Sequence, residues 1–163
     1  MKLNKITLLS VILLSLLLNN CGFTPMYKIG AGGIALDRVS IEFKSGVTYE
    51  VKDELQIMIG TGQSDADYNV IINVKEELVP VIVNTNGTVS KYQIDIAIYF
   101  DVIDKNDVTL LSDVSLGFAQ YDVQVSEIEN EELRKTMLRS ATRDAARLMI
   151  TKIQSKISLQ NDN

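Results

Sequence analysis

Six apolar side chains occupy every second position from Tyr92 to Val102: Tyr92, Ile94, Ile96, Ile98, Phe100 and Val102. Gln93, Asp95 and Asp101 mark the opposite face, with the less polar Ala97 and Tyr99 between them. A period of two is the signature of a strand with one covered face. Weaker alternation at Val39, Ile41 and Phe43, and again at Val70, Ile72 and Val74, predicts two earlier strands. The run Leu78-Val79-Pro80-Val81-Ile82-Val83 fits either a bulged edge strand or a surface that meets another protein. Asn84-Thr85-Asn86-Gly87 then supplies a hairpin turn. Asp104-Lys105-Asn106-Asp107 turns the chain again, before a last strand from about Thr109 to Gln124.

Two segments change to the helical period. Val47, Val51, Leu55, Met58 and Ile59 form one stripe, which Gly60 stops. Leu133, Met137, Leu138, Ala141, Ala145, Leu148, Met149, Ile153 and Ile157 form a longer one. Ser126 and Glu129 stand before it at capping-box spacing. That helix is expected to run about 30 residues, or roughly 45 Å. The order β-α-β-β-β-α places the chain in the α+β class. The strands are joined by short turns, so a four-stranded antiparallel sheet, mixed at most, is expected, with both helices on one face.

The first twenty residues follow a different rule. Lys2 and Lys5 precede an apolar stretch from Ile6 to Leu18, shorter than a bilayer-spanning helix. Residues 1–20 therefore read as a secretory signal peptide. Cys21, the single cysteine, stands directly behind it and looks like a lipobox cysteine that is acylated and becomes the mature N-terminus. Residues 21–33 read as a Gly-containing tether, 34–159 as one domain and 160–163 as a polar tail. Gly30-Ala31-Gly32-Gly33 lacks the Lys-Ser/Thr ending of a phosphate loop.

Composition removes whole classes of chemistry. With no histidine and one cysteine, neither a Ser-His-Asp triad nor a Cys/His zinc site can be assembled. No two acids stand at a recognisable catalytic spacing, and Asp65 and Asp67 fall short of a calcium loop. No catalytic residue, metal site or cofactor is expected, apart from the covalent lipid on Cys21. Removing the signal takes away two lysines, so 14 basic residues face 21 acidic ones, a formal charge of −7. That balance argues against a nucleic-acid partner.

Against it, Lys135, Arg139, Arg143 and Arg147 recur every fourth residue of the final helix, a slowly drifting cationic stripe. Such a stripe is either a solvated face with partners such as Glu131 to Lys135, or a site for phosphate groups, which Arg binds bidentately. Lys91, beside the Asn-Gly hairpin, is a second candidate for the same anion.

Cys21-Gly22-Phe23-Thr24-Pro25-Met26-Tyr27 resembles the start of the LPS-assembly lipoprotein family (LptE-like) in its alphaproteobacterial form. The resemblance continues with Asn86-Gly87 followed by Tyr92-Gln93, and with Arg143, Ala145-Ala146 and Ile150 to Ile153 in the final helix. It implies a non-enzymatic lipoprotein that plugs the large outer-membrane β-barrel translocon, assists its assembly and binds lipopolysaccharide. Lys91, Lys135, Arg139, Arg143 and Arg147 are then the candidate lipopolysaccharide contacts. Gly22, where an Asp would signal inner-membrane retention, points to the outer membrane, on its periplasmic side. An auxiliary periplasm-facing lipoprotein of another envelope lipid-transport system would share the same tethered domain.

Overall fold

The structure, a computed structural model, describes residues 39–60 and 66–161. The expected signal peptide, Cys21 and the expected tether lie outside the described residues. Six elements follow in the expected order: β1 (Val39–Phe43), α1 (Tyr49–Ile59), β2 (Tyr68–Val83), β3 (Val89–Asp104), β4 (Thr109–Asp122) and α2 (Glu127–Asn161). The strands form one sheet in the order β1-β2-β3-β4. β2, β3 and β4 are antiparallel neighbours, whereas β1 lies parallel to β2 and makes the sheet mixed. The reason is α1, which carries the chain back along the sheet before β2 begins, so β2 starts from the same end as β1.

Register places one set of alternating residues on a common face. Val70 stands opposite Val102, Ile72 opposite Phe100 and Val74 opposite Ile98. Ile94 faces Ala119, Ile96 faces Gly117 and Ile98 faces Ser115 on the next strand. These positions meet Val51 and Leu55 of α1, together with Leu138, Ala141, Ala145, Met149, Ile153 and Ile157 of α2, in one core. Each large aliphatic or aromatic side chain buried there contributes roughly 1.5–3 kcal/mol. The opposite face of the sheet carries no helix among the described residues.

How closely α2 approaches the sheet is decided by small residues on β4. A Cβ on Gly117 would lie 2.1 Å from the Ala141 carbonyl oxygen and 2.7 Å from the Ala145 nitrogen. Backbone therefore rests on backbone, and α2 sits directly above β4. Ser115, the next residue along this row, is buried with its hydroxyl unpaired.

The run from Leu78 to Val83 is strand, the continuation of β2, and it pairs with β3 up to Val83 and Val89 with register shifts around Ile82. The turn beyond it has Gly87 at φ +84° and Thr88 N–H donating to Asn86 Oδ1 (3.0 Å). In the β3–β4 turn, Asp104 Oδ1 accepts from the backbone N–H groups of Asn106 (2.8 Å) and Val108 (2.9 Å). These bonds hold the Asp104 carboxyl below its ordinary value, that to Val108 most strongly. At the start of α2, Glu129 N–H donates to Ser126 Oγ (3.4 Å), the forward half of a capping box. Thr48 precedes α1 but caps nothing with its side chain, donating instead to Glu76 Oε2 of β2 (2.9 Å).

Candidate functional site

The cationic stripe of α2 is largely balanced by neighbouring acids. Lys135 lies 3.9 Å from Glu131 and 4.0 Å from Glu132, and Arg147 lies 3.2 Å from Asp144. Arg143 does something else. Its Nε donates to Glu54 Oε1 (2.5 Å) and its Nη2 to Glu54 Oε2 (3.3 Å), joining the two helices. Glu54 is only 2% exposed, so Arg143 is the counter-ion of a buried carboxylate. The hydrogen bond it donates to Glu54 holds the guanidinium above its ordinary value. Arg139, exposed on the same stripe, has no carboxylate partner among the described residues. The four positions thus share a helix flank but not a role.

Lys91 is half-buried on β3 and pairs at 3.2 Å with Asp122, its cross-strand partner on β4. It lies close to the end of the sheet where apolar side chains are exposed. Val81, Ile82 and Val83 project from the β2–β3 hairpin, and Val123, Val125 and Ile128 from the β4–α2 connection and the first turn of α2. Val123 N–H donates to Ser90 O (2.9 Å), which ties the two groups to the same end. The connection itself is closed by Asn130, whose Nδ2 donates to Gln124 O (2.9 Å) and whose Oδ1 accepts from Gln124 N–H (2.6 Å).

Between this end and the core lies a cleft of about 220 Å³, lined by Glu76, Glu77, Leu78, Ile94 and Arg134. Arg134 is held by Glu131 through Nε (2.9 Å) and Nη2 (3.0 Å), which lowers the Glu131 carboxyl and raises the guanidinium. Beside it, Tyr92 and Tyr121 stack with ring centroids 5.8 Å apart. Burial pushes the Tyr121 phenol up. Three of the five residues lining the cleft are charged, Glu76, Glu77 and Arg134, and two are apolar, Leu78 and Ile94. Sequence reading named neither Glu54 nor Arg134. An acid on the buried side of α1 was the only available signal for Glu54. Arg134 stood outside the four-residue spacing that drew attention to its neighbours.

Residues 35–153 match the model of the lipopolysaccharide-assembly family LptE. The chain belongs to that family. Solved structures show the same fold at low identity. A lipoprotein from Caulobacter crescentus superposes with a TM-score of 0.63 at 16% identity, over 77% of this chain and 93% of that one. Rare lipoprotein B from Shewanella oneidensis gives 0.56 at 13% identity, covering 75% and 98%. Lipoprotein B from Nitrosomonas europaea, solved in solution, gives 0.60 at 14% identity, covering 75% and 84%. A comparison with curated proteins returns no match. As an LptE-family member, the chain is a non-enzymatic lipopolysaccharide-assembly lipoprotein of the cell envelope.

Proposed function

We propose that this LptE-family protein is anchored to the outer membrane by acylated Cys21, facing the periplasm, and that it plugs the β-barrel lipopolysaccharide translocon and assists its assembly. The match of residues 35–153 to the family carries the reading. One feature of the domain supports it. Exposed apolar side chains gather at the hairpin end, where a monomeric soluble domain gains nothing by displaying them. A lipid on Cys21 would hold the domain at a membrane without a spanning helix, and none of the helices among the described residues is long and apolar enough to be one.

Direct contact with lipopolysaccharide is assigned to Lys91 and to Lys135, Arg139 and Arg147 of the stripe, Arg143 being engaged by Glu54. Within the stripe Arg139 is the strongest anion contact, since it surrenders no existing ion pair. The test is purification of the full-length protein from membranes in mild detergent, combined with depletion in cells. A large β-barrel subunit should co-purify, and depletion should strand newly made lipopolysaccharide in the periplasmic or inner-membrane fractions. Normal surface display after depletion overturns the reading.

A further inference from the structure

The outer edge of β4 is capped at two places and open between them. On this strand the odd-numbered residues turn their backbone groups toward β3, as Val123 N–H on Ser90 O demonstrates just beyond its end. The even-numbered residues therefore turn theirs outward. At Val114 both outward groups are satisfied: its N–H donates to Asp113 Oδ1 (2.7 Å), and its carbonyl accepts from Lys152 Nζ (2.7 Å). At Asp122 the carbonyl accepts from Gln124 Nε2 (3.1 Å). Leu116, Phe118 and Gln120 lie between these caps, and their outward N–H and C=O groups have no partner among the described residues. Their side chains fall on the helix-free face, where Leu116 is 62% and Phe118 64% exposed.

The other side of the sheet is guarded differently. Beyond the short β1, the outward positions of β2 include Pro80, which has no N–H to offer, and the register shifts follow immediately. Proline and bulges are the usual protection of a free edge. β4 has neither in its middle.

We propose that the Leu116–Gln120 edge of β4 receives an extended strand from a partner protein, adding a fifth strand to the sheet. The addition would satisfy three N–H and three C=O groups. Apolar side chains of the incoming strand would alternate between Leu116 and Phe118 on one face and exposed Leu148 on the other. Leu148 stands one turn before Lys152, on the flank of α2 that overlooks this edge. A second copy of this chain does not fit. Symmetric pairing of two β4 strands sets them about 4.8 Å apart, and α2 sits directly over β4 through Gly117. Two such helices need roughly 8–10 Å between axes. The occupant is therefore a strand that carries no helix on that face, with apolar residues at alternate positions.

The proposal rests on the reading that the protein works within an assembly, and its test separates the two. Benzoylphenylalanine is placed at Leu116, Phe118 or Gln120 of the full-length protein in cells, with exposed Ile57 of α1 as control, and adducts are mapped by peptide sequencing. Strand pairing should give adducts to one polypeptide at positions spaced by two, running in a single direction, and none of these from Ile57. Changing Leu116 and Phe118 together to Lys should cut the Gln120 adduct at least tenfold, with an unchanged thermal midpoint. Adducts that are absent, scattered, or confined to lipid or to a second copy overturn the proposal. If a β-barrel still co-purifies in that case, the family function stands and only the edge proposal falls. If edge adducts map in strand register onto a different protein, the reverse holds.

Discussion

Glu54 and Arg143 stand 89 residues apart and share two hydrogen bonds that join α1 to α2 across the top of the core. A carboxylate this deeply buried without a counter-ion would cost several kcal/mol, so the pair ties the position of each helix to the other. It also withdraws Arg143 from the set of cations available to a phosphate.

Arg143→Ala should therefore destabilise the domain by about 2 kcal/mol in urea unfolding. The figure lies below the 3–5 kcal/mol of a fully buried pair because the guanidinium is half-exposed and water can replace part of it. Arg139→Gln should shift stability by less than about 1 kcal/mol, yet weaken lipopolysaccharide binding roughly tenfold at low salt. Comparable unfolding of both variants would show that the stripe acts as one structural unit.

Gly117→Ala should cost about 3 kcal/mol or more, because the new methyl meets main-chain atoms of α2 rather than a movable side chain. Adding Ala141→Gly should not rescue it, since the obstructing atom is the carbonyl oxygen. A rescue in thermal melts would mean that the contact is between side chains.

Ile96→Asp places a carboxylate at the centre of the core face, opposite Gly117, with no partner. Unfolding measurements should show a loss of several kcal/mol, comparable with a small domain's whole margin. Asp95→Ser, on the helix-free face, removes one hydrogen bond from Gln93 Nε2 (2.7 Å) and should cost less than about 1 kcal/mol. Equal damage would show that this face is also covered in the free protein.

Acid should loosen the fold through named carboxylates. Lys152 lowers Asp113 by a hydrogen bond, Arg134 does the same for Glu131, and the turn amides lower Asp104. Each folded value lies below the ordinary 3.8 of Asp or 4.5 of Glu, so the native state binds fewer protons than the unfolded chain. Their contribution is complete above those ordinary values and is lost as pH falls through the lower folded ones. The thermal midpoint should hold steady from pH 7 to about 5 and then decline, less steeply in Asp113→Asn. A midpoint that rises on acidification would reverse the sign.

Cys21→Ser should leave the chain without labelled palmitate and uncleaved by the lipoprotein route. Palmitate entering that variant would overturn the lipobox assignment.

Residue spacing alone determined the six elements and their order, because the periods of strand and helix are set by local backbone geometry. The alternation from Tyr92 to Val102 returned as the buried face of β3, and the Asn-Gly and Asp-Asn turns fell where their side chains bond their own backbone. The capping residues before α2 were legible for the same reason. What the sequence left open were relations between distant positions. Leu78 to Val83 is apolar whether it pairs or projects, and only the register with β3 made it strand. β1 became parallel through the path of α1, which no residue of β1 encodes. Gly117 carries no mark of the helix that rests on it, and Glu54 and Arg143 look like ordinary surface charges until two helices bring them together. Even the free edge of β4 follows from pairing, since which backbone groups point outward depends on which neighbour takes the others. These features come from contacts between segments far apart in sequence, and such contacts exist only once the chain has closed its core.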